Sequence, residues 1–276
     1  EVASASHNDG IFCVKLKDGQ ALTSAKCIIA TGGLSYPTLG STGDGLEFAK
    51  HFGHKVTKTN PSLVPLVCSD SWISDVMGLS LKDVNLTAHV RGRKVFDGAG
   101  EMLFTHFGIS GPLVLSASAY LAGQNAAKIS IDLKPNMSKD ALGAAILNEL
   151  NKNLNRDIKN ALGEIIPKSL IPIVLQLTNI EPEKKANSIT KDERGRIASI
   201  IKSLELNTTG NRGYKEAVVT AGGVATKEID PSTMESKIIP GLYFAGEVID
   251  IHALTGGYNL QIAFSTGYLA GASSAR

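Results

Sequence analysis

Apolar and polar positions alternate through residues 11 to 33, IFCVKLKDGQALTSAKCIIATGG, on either side of Asp18 and Gly19. That pattern predicts a hairpin or meander feeding a strand over Cys27 to Ala30. The strand is apolar at successive positions, as suits the interior of a sheet covered on both faces, and it stops at Gly32 and Gly33. From Asp44, DGLEFAKHFG carries Leu46, Ala49 and Phe52 at helical spacing, with Asp44 as the expected cap and Gly53 as the stop. NPSLVPL, residues 60 to 66, breaks the pattern with two prolines and marks an exit into another domain. Residues 63 to 134 then alternate in short runs such as LTAHV and KISIDL, which predicts several short strands.

The period changes at Ser138. Leu142, Ile146, Leu150 and Leu154 recur one helical turn apart, and Thr190 with Glu193 forms a capping box ahead of Ile197, Ile201 and Leu204. Strand character returns in EAVVTAGGV and GLYFAGEV. The chain therefore divides into residues 1–59, a β-rich insert over 60–137, a helical insert over 138–206, and a return to the first domain over 207–276.

Three stretches in the first and last parts place glycines at the carboxyl end of an apolar strand: IIATGG, VTAGGV and LYFAGE. In open α/β sheets the ligand crevice lies at those ends, where glycine lets a flat or anionic ligand meet the main chain. The final helix begins at Gly256, Gly257, Tyr258, Asn259 and Leu260, and its first-turn N–H groups need a cap, water or a ligand. Behind them Ile262, Ala263, Thr266, Leu269 and Ala270 form a stripe suited to packing on a sheet.

A chain of 276 residues with a net charge of +2 has no overall field that argues for a nucleic acid or a membrane surface, so a small-molecule partner is expected. Cys13, Cys27 and Cys68 are odd in number and form no C-x-x-C pair, which points away from a disulfide framework, a zinc knuckle and a dithiol centre. A reduced, cytoplasmic setting is expected. No segment approaches the ~20 apolar residues of a membrane helix, and His51, His54 and His89 have no metal-ligand spacing.

ATGGLSYPTLGSTGDGLEFAKHFGH, PSLVPL, GEMLFTHFGISGP, EIDPSTMESK and GLYFAGEVIDIHALTGGYNLQIAFSTGYLAG together resemble the BaiN-like bacterial flavoproteins, NAD(P)/FAD-dependent oxidoreductases, over nearly the whole chain. The resemblance implies an α/β fold of the two-dinucleotide-binding-domain flavoprotein type, with a β-barrel-like and a helical domain inserted into the FAD-binding domain. It implies a non-covalent FAD, reduced by NAD(P)H or a small organic substrate. Thr31, Gly32 and Gly33 match the strand end near the dinucleotide, and Gly246 and Glu247 match the motif beside the pyrophosphate and ribityl chain, a task Asp250 is near enough to share. Gly257, Asn259 and Leu260 match the helix start facing the flavin's pyrimidine edge. His106, in LFTHFGISGP, is a candidate proton donor or substrate anchor.

Two features depart from the family pattern. The opening G-x-G-x-x-G turn and its ribose-binding acid are absent, and the chain starts at Glu1, so an upstream β-α-β segment is expected to be missing and the chain alone to be inactive and poor at holding FAD. His252 stands where family members often carry an acid. A non-catalytic flavin-binding remnant and a fumarate-reductase-like flavoprotein are the alternative functions.

Overall fold

Alternation at the start of the chain produces three antiparallel strands, β1 (Val2–Asn8), β2 (Ile11–Leu16) and β3 (Ala21–Ser24), in that spatial order. The computed structural model describes residues 1–124 and 126–276. Asp9 and Gly10, both at positive φ, make the two-residue turn between β1 and β2. Then come β4 (Cys27–Ile29), α1 (Asp44–His51) and β5 (Asn60–Ser62). Asp44 is not the cap of α1. Gly43, at φ 88°, holds that position without a side-chain bond, and Asp44 stands inside the first turn, where the helix dipole favours its charge.

Six strands close into a barrel: β6 (Leu66–Cys68), β7 (Ser80–Val90), β8 (Arg93–Thr105), β9 (Gly108–Ser110), β10 (Ala127–Asp132) and β11 (Leu204–Asn211), in the order β10-β11-β6-β9-β8-β7. Two of them are long rather than short, because Arg91 and Gly92, both at positive φ, join β7 and β8 into one continuous hairpin. The helix α2 (Pro112–Tyr120) starts on a proline, and α3 (Lys139–Lys152), α4 (Ile171–Thr178) and α5 (Lys191–Lys202) make up the helical block. Leu142, Ile146 and Leu150 of α3 are buried, whereas Leu154 lies past the helix end and is exposed. Leu204 opens β11 instead of closing α5. Leu86, Phe104 and Ile129 of the barrel share one apolar cluster with Ile146, Val174 and Ile197 of the helices.

The chain returns through β12 (Val219–Ala221), β13 (Leu242–Phe244) and α6 (Tyr258–Ser274). Contacts divide the whole into two units, Glu1–Val64 with Arg212–Arg276, and Pro65–Asn211. In the first unit β13 runs parallel to β4, with Ile29 opposite Phe244, while β12 pairs antiparallel with β5. The three glycine-ended strands therefore belong to two separate ladders. Ile29, Leu46, Ala49, Phe244, Val248 and Ala270 form the core beside them. Ile28 is 41% exposed, so β4 is covered on one face only among the described residues. No described helix is long and apolar enough to cross a membrane.

Candidate functional site

β4 and β13 end side by side because they are parallel and in register, and this brings Thr31–Gly33 to the same edge as Gly246 and Glu247. Behind that edge lies Thr220, the middle residue of β12 and 1% exposed. Its hydroxyl accepts hydrogen bonds from the N–H of Leu34 at 2.8 Å and of Ser35 at 3.2 Å. Its own N–H donates to Glu247 Oε1 at 2.8 Å. One buried threonine thus ties the turn after β4 to the acid after β13. A Cβ on Gly33 would lie 2.5 Å from Thr220 Oγ1 and 2.7 Å from Glu247 Oε1, so only glycine fits between them. In the sequence the only signal of Thr220 is a hydroxyl residue between two apolar ones, Val219 and Ala221.

Each of the other strand-end residues has a definite setting. Gly246 donates its N–H to Thr266 Oγ1 at 2.9 Å, which pins the turn to α6. Thr31 is exposed at the end of β4. Asp250 accepts from the Thr57 hydroxyl at 2.9 Å, and that hydroxyl oxygen in turn accepts from the Gly223 N–H at 3.0 Å. Added Cβ atoms on Gly222 and Gly223 would strike the Lys58 and Val248 carbonyls, so those two glycines serve close packing of backbone.

The α6 start is held open. Gly257, at φ 86°, is the N-cap and offers no side chain, and a Cβ placed there would meet nothing within 4 Å. The N–H groups of Tyr258, Asn259 and Leu260 find no acceptor among the described residues. Asn259 is not free to serve as a cap or as an outward donor of its whole amide. Its Oδ1 accepts from the Ala253 N–H at 2.8 Å and its Nδ2 donates to the Ala253 carbonyl at 2.9 Å, so it clamps the loop that leads into the helix. Leu260 is 64% exposed, and Tyr258, Phe264 and Tyr268 share that exposure along α6. His252 is exposed in the same loop.

His106 belongs to the second unit, exposed at the two-residue tip of the β8–β9 hairpin, with its ring 5.0 Å from that of Phe107. Next to it the Thr105 hydroxyl is buried without a hydrogen-bond partner among the described residues. In the first unit His54 is buried, with Nδ1 3.1 Å from Glu228 Oε2 and Nε2 2.8 Å from Ser236 Oγ. Burial holds its pKa below the ordinary imidazole value, against the pull of Glu228. The order resembles a nucleophilic triad, but Ser236 Oγ already accepts from the N–H groups of Ile238 and Ile239 and is buried, so it is a structural knot. All three cysteines are unbonded, and burial pushes the Cys68 thiol up to about 12, which keeps it protonated and inert. No metal-binding cluster occurs among the described residues.

Comparison with known proteins adds to this geometry. The family described as "HI0933-like protein Rossmann domain" matches residues 1–273. The chain is similar to the ribosomal RNA dihydrouridine synthase of Escherichia coli K12, 35% identical over 97% of this chain and 65% of that protein. It is similar to the Haemophilus influenzae ribosomal RNA dihydrouridine synthase, 37% identical over 90% of this chain and 60% of that protein. The 3-dehydro-bile acid delta(4,6)-reductase of Clostridium scindens is 33% identical over 94% of this chain and 64% of that protein. The chain thus spans just under two thirds of the length of these curated relatives.

Proposed function

The chain belongs to the family of HI0933-like protein Rossmann domains, and on that premise we propose that it is an FAD-dependent oxidoreductase that saturates a carbon–carbon double bond conjugated to a carbonyl. The names of the relatives support the substrate class: making dihydrouridine saturates the uracil double bond beside its carbonyl, and a delta(4,6)-reductase acts on a steroid diene. The observation that carries the reading is the start of α6, where a glycine cap is open and three N–H groups find no acceptor among the described residues. Such an end favours negative charge, which is what a reduced flavin ring presents. When bound, the flavin supplies the hydride, with NAD(P)H as its source.

The chain's own residues then have separate tasks. The first-turn N–H groups of Tyr258, Asn259 and Leu260 stabilise the anionic ring, and Asn259 keeps them aimed by clamping Ala253. Glu247 keeps one oxygen on the Thr220 N–H and offers the other to ribityl hydroxyls. Thr31, Gly32, Gly33 and Gly246 line the strand ends where main chain meets the dinucleotide. Asp250, fastened by Thr57, steadies the segment after Glu247. Saturation of the double bond also needs a proton, and His106 is the proposed carrier.

The test is anaerobic. The chain, extended by the expected upstream β-α-β segment, is loaded with FAD and titrated with NADH and NADPH, then offered uridine-containing ribosomal RNA and a 3-oxo-4,6-diene steroid. Bleaching of the flavin absorbance by a nicotinamide, with reoxidation by one substrate, is expected. Failure to hold flavin when that upstream segment is supplied overturns the reading. His106→Gln is expected to lower kcat while leaving the flavin spectrum unchanged.

A further inference from the structure

One cavity of the second unit is lined, at every charged position, by a cation. It measures about 560 Å³ and is walled by Arg156, Lys159, Asn160, Gly163, Lys168 and Ile171. The frame beneath it is firm. Ile158 is fully buried, its N–H donates to the Lys184 carbonyl at 2.8 Å, and the Ala186 N–H donates to the Arg156 carbonyl at 2.9 Å. Of the two acids in this stretch, Asp157 accepts from Lys185 Nζ at 2.7 Å and Glu164 is exposed outside the lining.

The cations themselves are available. Arg156 and Lys168 form no side-chain ion pair or hydrogen bond among the described residues. Lys159 pairs with Glu183 at 2.9 Å, but both side chains are exposed, and such a pair exchanges readily for another anion. Asn160 adds an amide, and the Lys168 stem passes within 3.6 Å of where a Gly163 Cβ would stand, so that glycine keeps the wall low. A second groove, about 330 Å³ between α3 and α5, repeats the bias with Lys139, Lys191 and Arg194 against the single acid Asp140. There the helix ends are already capped by Ser138 and Thr190, so the bias comes from side chains.

We propose that the Arg156–Lys159–Lys168 groove holds the phosphodiester backbone of RNA. The inference rests on the RNA arm of the functional reading above. The lining contains no aromatic ring on which a base would stack, so the contact is to phosphate and independent of sequence. It offers no exposed aromatic or aliphatic anchor for acyl chains either, because Ile171 is buried, which separates it from a membrane-surface site.

The experiment is a salt titration of the chain against fluorescein-labelled oligouridine and extracted ribosomal RNA, followed by anisotropy. Arg156→Glu with Lys168→Glu is compared with Lys215→Glu with Lys227→Glu, exposed cations of the first unit that give the same change in net charge. The groove double variant is expected to bind ~10-fold more weakly and to lower the slope of log Kd against log salt by ~1–2, with the control within ~2-fold of the parent. Arg156→Gln with Lys168→Gln, which removes charge without reversing it, should fall between them, and unchanged circular dichroism shows that both remain folded. Equal weakening by the groove and control variants overturns the proposal. So does a parent chain that binds phosphatidylglycerol vesicles but not RNA. If RNA binding is lost through the groove while the chain extended by its upstream segment holds no flavin, the groove stands and the flavin reading fails. If the flavin turns over a steroid and RNA is ignored, the reverse is true.

Discussion

Asn259 shows how far a single side chain can be read from its neighbours in sequence. Its place at a helix start invites the role of cap or ligand donor, yet both ends of its amide are spent on Ala253. Asn259→Ala is therefore expected to destabilise the first unit by about 1–2 kcal/mol, two net hydrogen bonds, as measured by urea unfolding. Asn259→Asp keeps the acceptor but sets a carboxylate against the Ala253 carbonyl; a variant as stable as the parent would show that the clamp does not form in solution. Gly33 makes the opposite case, because a methyl group there has no room. Gly33→Ala should displace Thr220 or Glu247 at a cost of about 1–3 kcal/mol and weaken FAD binding, whereas Thr220→Ser, which keeps the hydroxyl, should leave both nearly unchanged. His54 gives a pH dependence. Its folded pKa lies below the unfolded value, so the unfolded chain binds more protons as the pH falls. Its contribution is fully present above the ordinary imidazole pKa of about 6.5 and is lost as the pH drops through the folded value. His54→Gln should flatten the fall in stability as the pH drops below about 6.5, measured by denaturant midpoint at each pH.

Among the elements, local sequence succeeds where the determining contacts are local. The Thr190–Glu193 capping box is present in both halves, with Glu193 N–H to Thr190 Oγ1 at 3.2 Å and Thr190 N–H to Glu193 Oε2 at 2.8 Å. Thr190→Ala should cost about 1 kcal/mol of second-unit stability in thermal unfolding. At the start of α1, Asp44 is a good cap by type, but the preceding glycine already occupies the required backbone position. Helix α6 shows both outcomes. Thr266 and Ala270 of its expected stripe are buried, but Phe264 and Tyr268 stand out from the surface. An apolar face of that kind binds hydrophobic dyes, so Phe264→Glu with Tyr268→Glu should lower anilinonaphthalene sulfonate fluorescence without reducing helicity.

For the molecule as a whole, the boundary that matters is set by shared cores. Barrel and helical block bury their side chains in one cluster within the contiguous stretch Pro65–Asn211, whereas the first unit draws its core from both ends of the chain. Residues 65–211 expressed alone are expected to fold and melt cooperatively; a broad, probe-dependent transition would show that they need the first unit. The succession from strands to helices and back was legible because a change of hydrophobic period reports it directly. The strand closing the barrel was not, since β11 comes after the helices and its partners β6 and β10 are far away in sequence. The net charge of +2 averages the cationic grooves with paired acids elsewhere, so it carries no record of where the charges stand. By itself the sequence determined which segments are helix or strand, where the glycine turns fall, and which long strings carry the family resemblance, all of which depend on residues within one or two turns of each other. Only the tertiary structure decided that β12 pairs with β5 and not with β4, that Thr220 joins Gly33 to Glu247, and that Asn259 faces inward, because each depends on atoms brought together by packing across long stretches of chain.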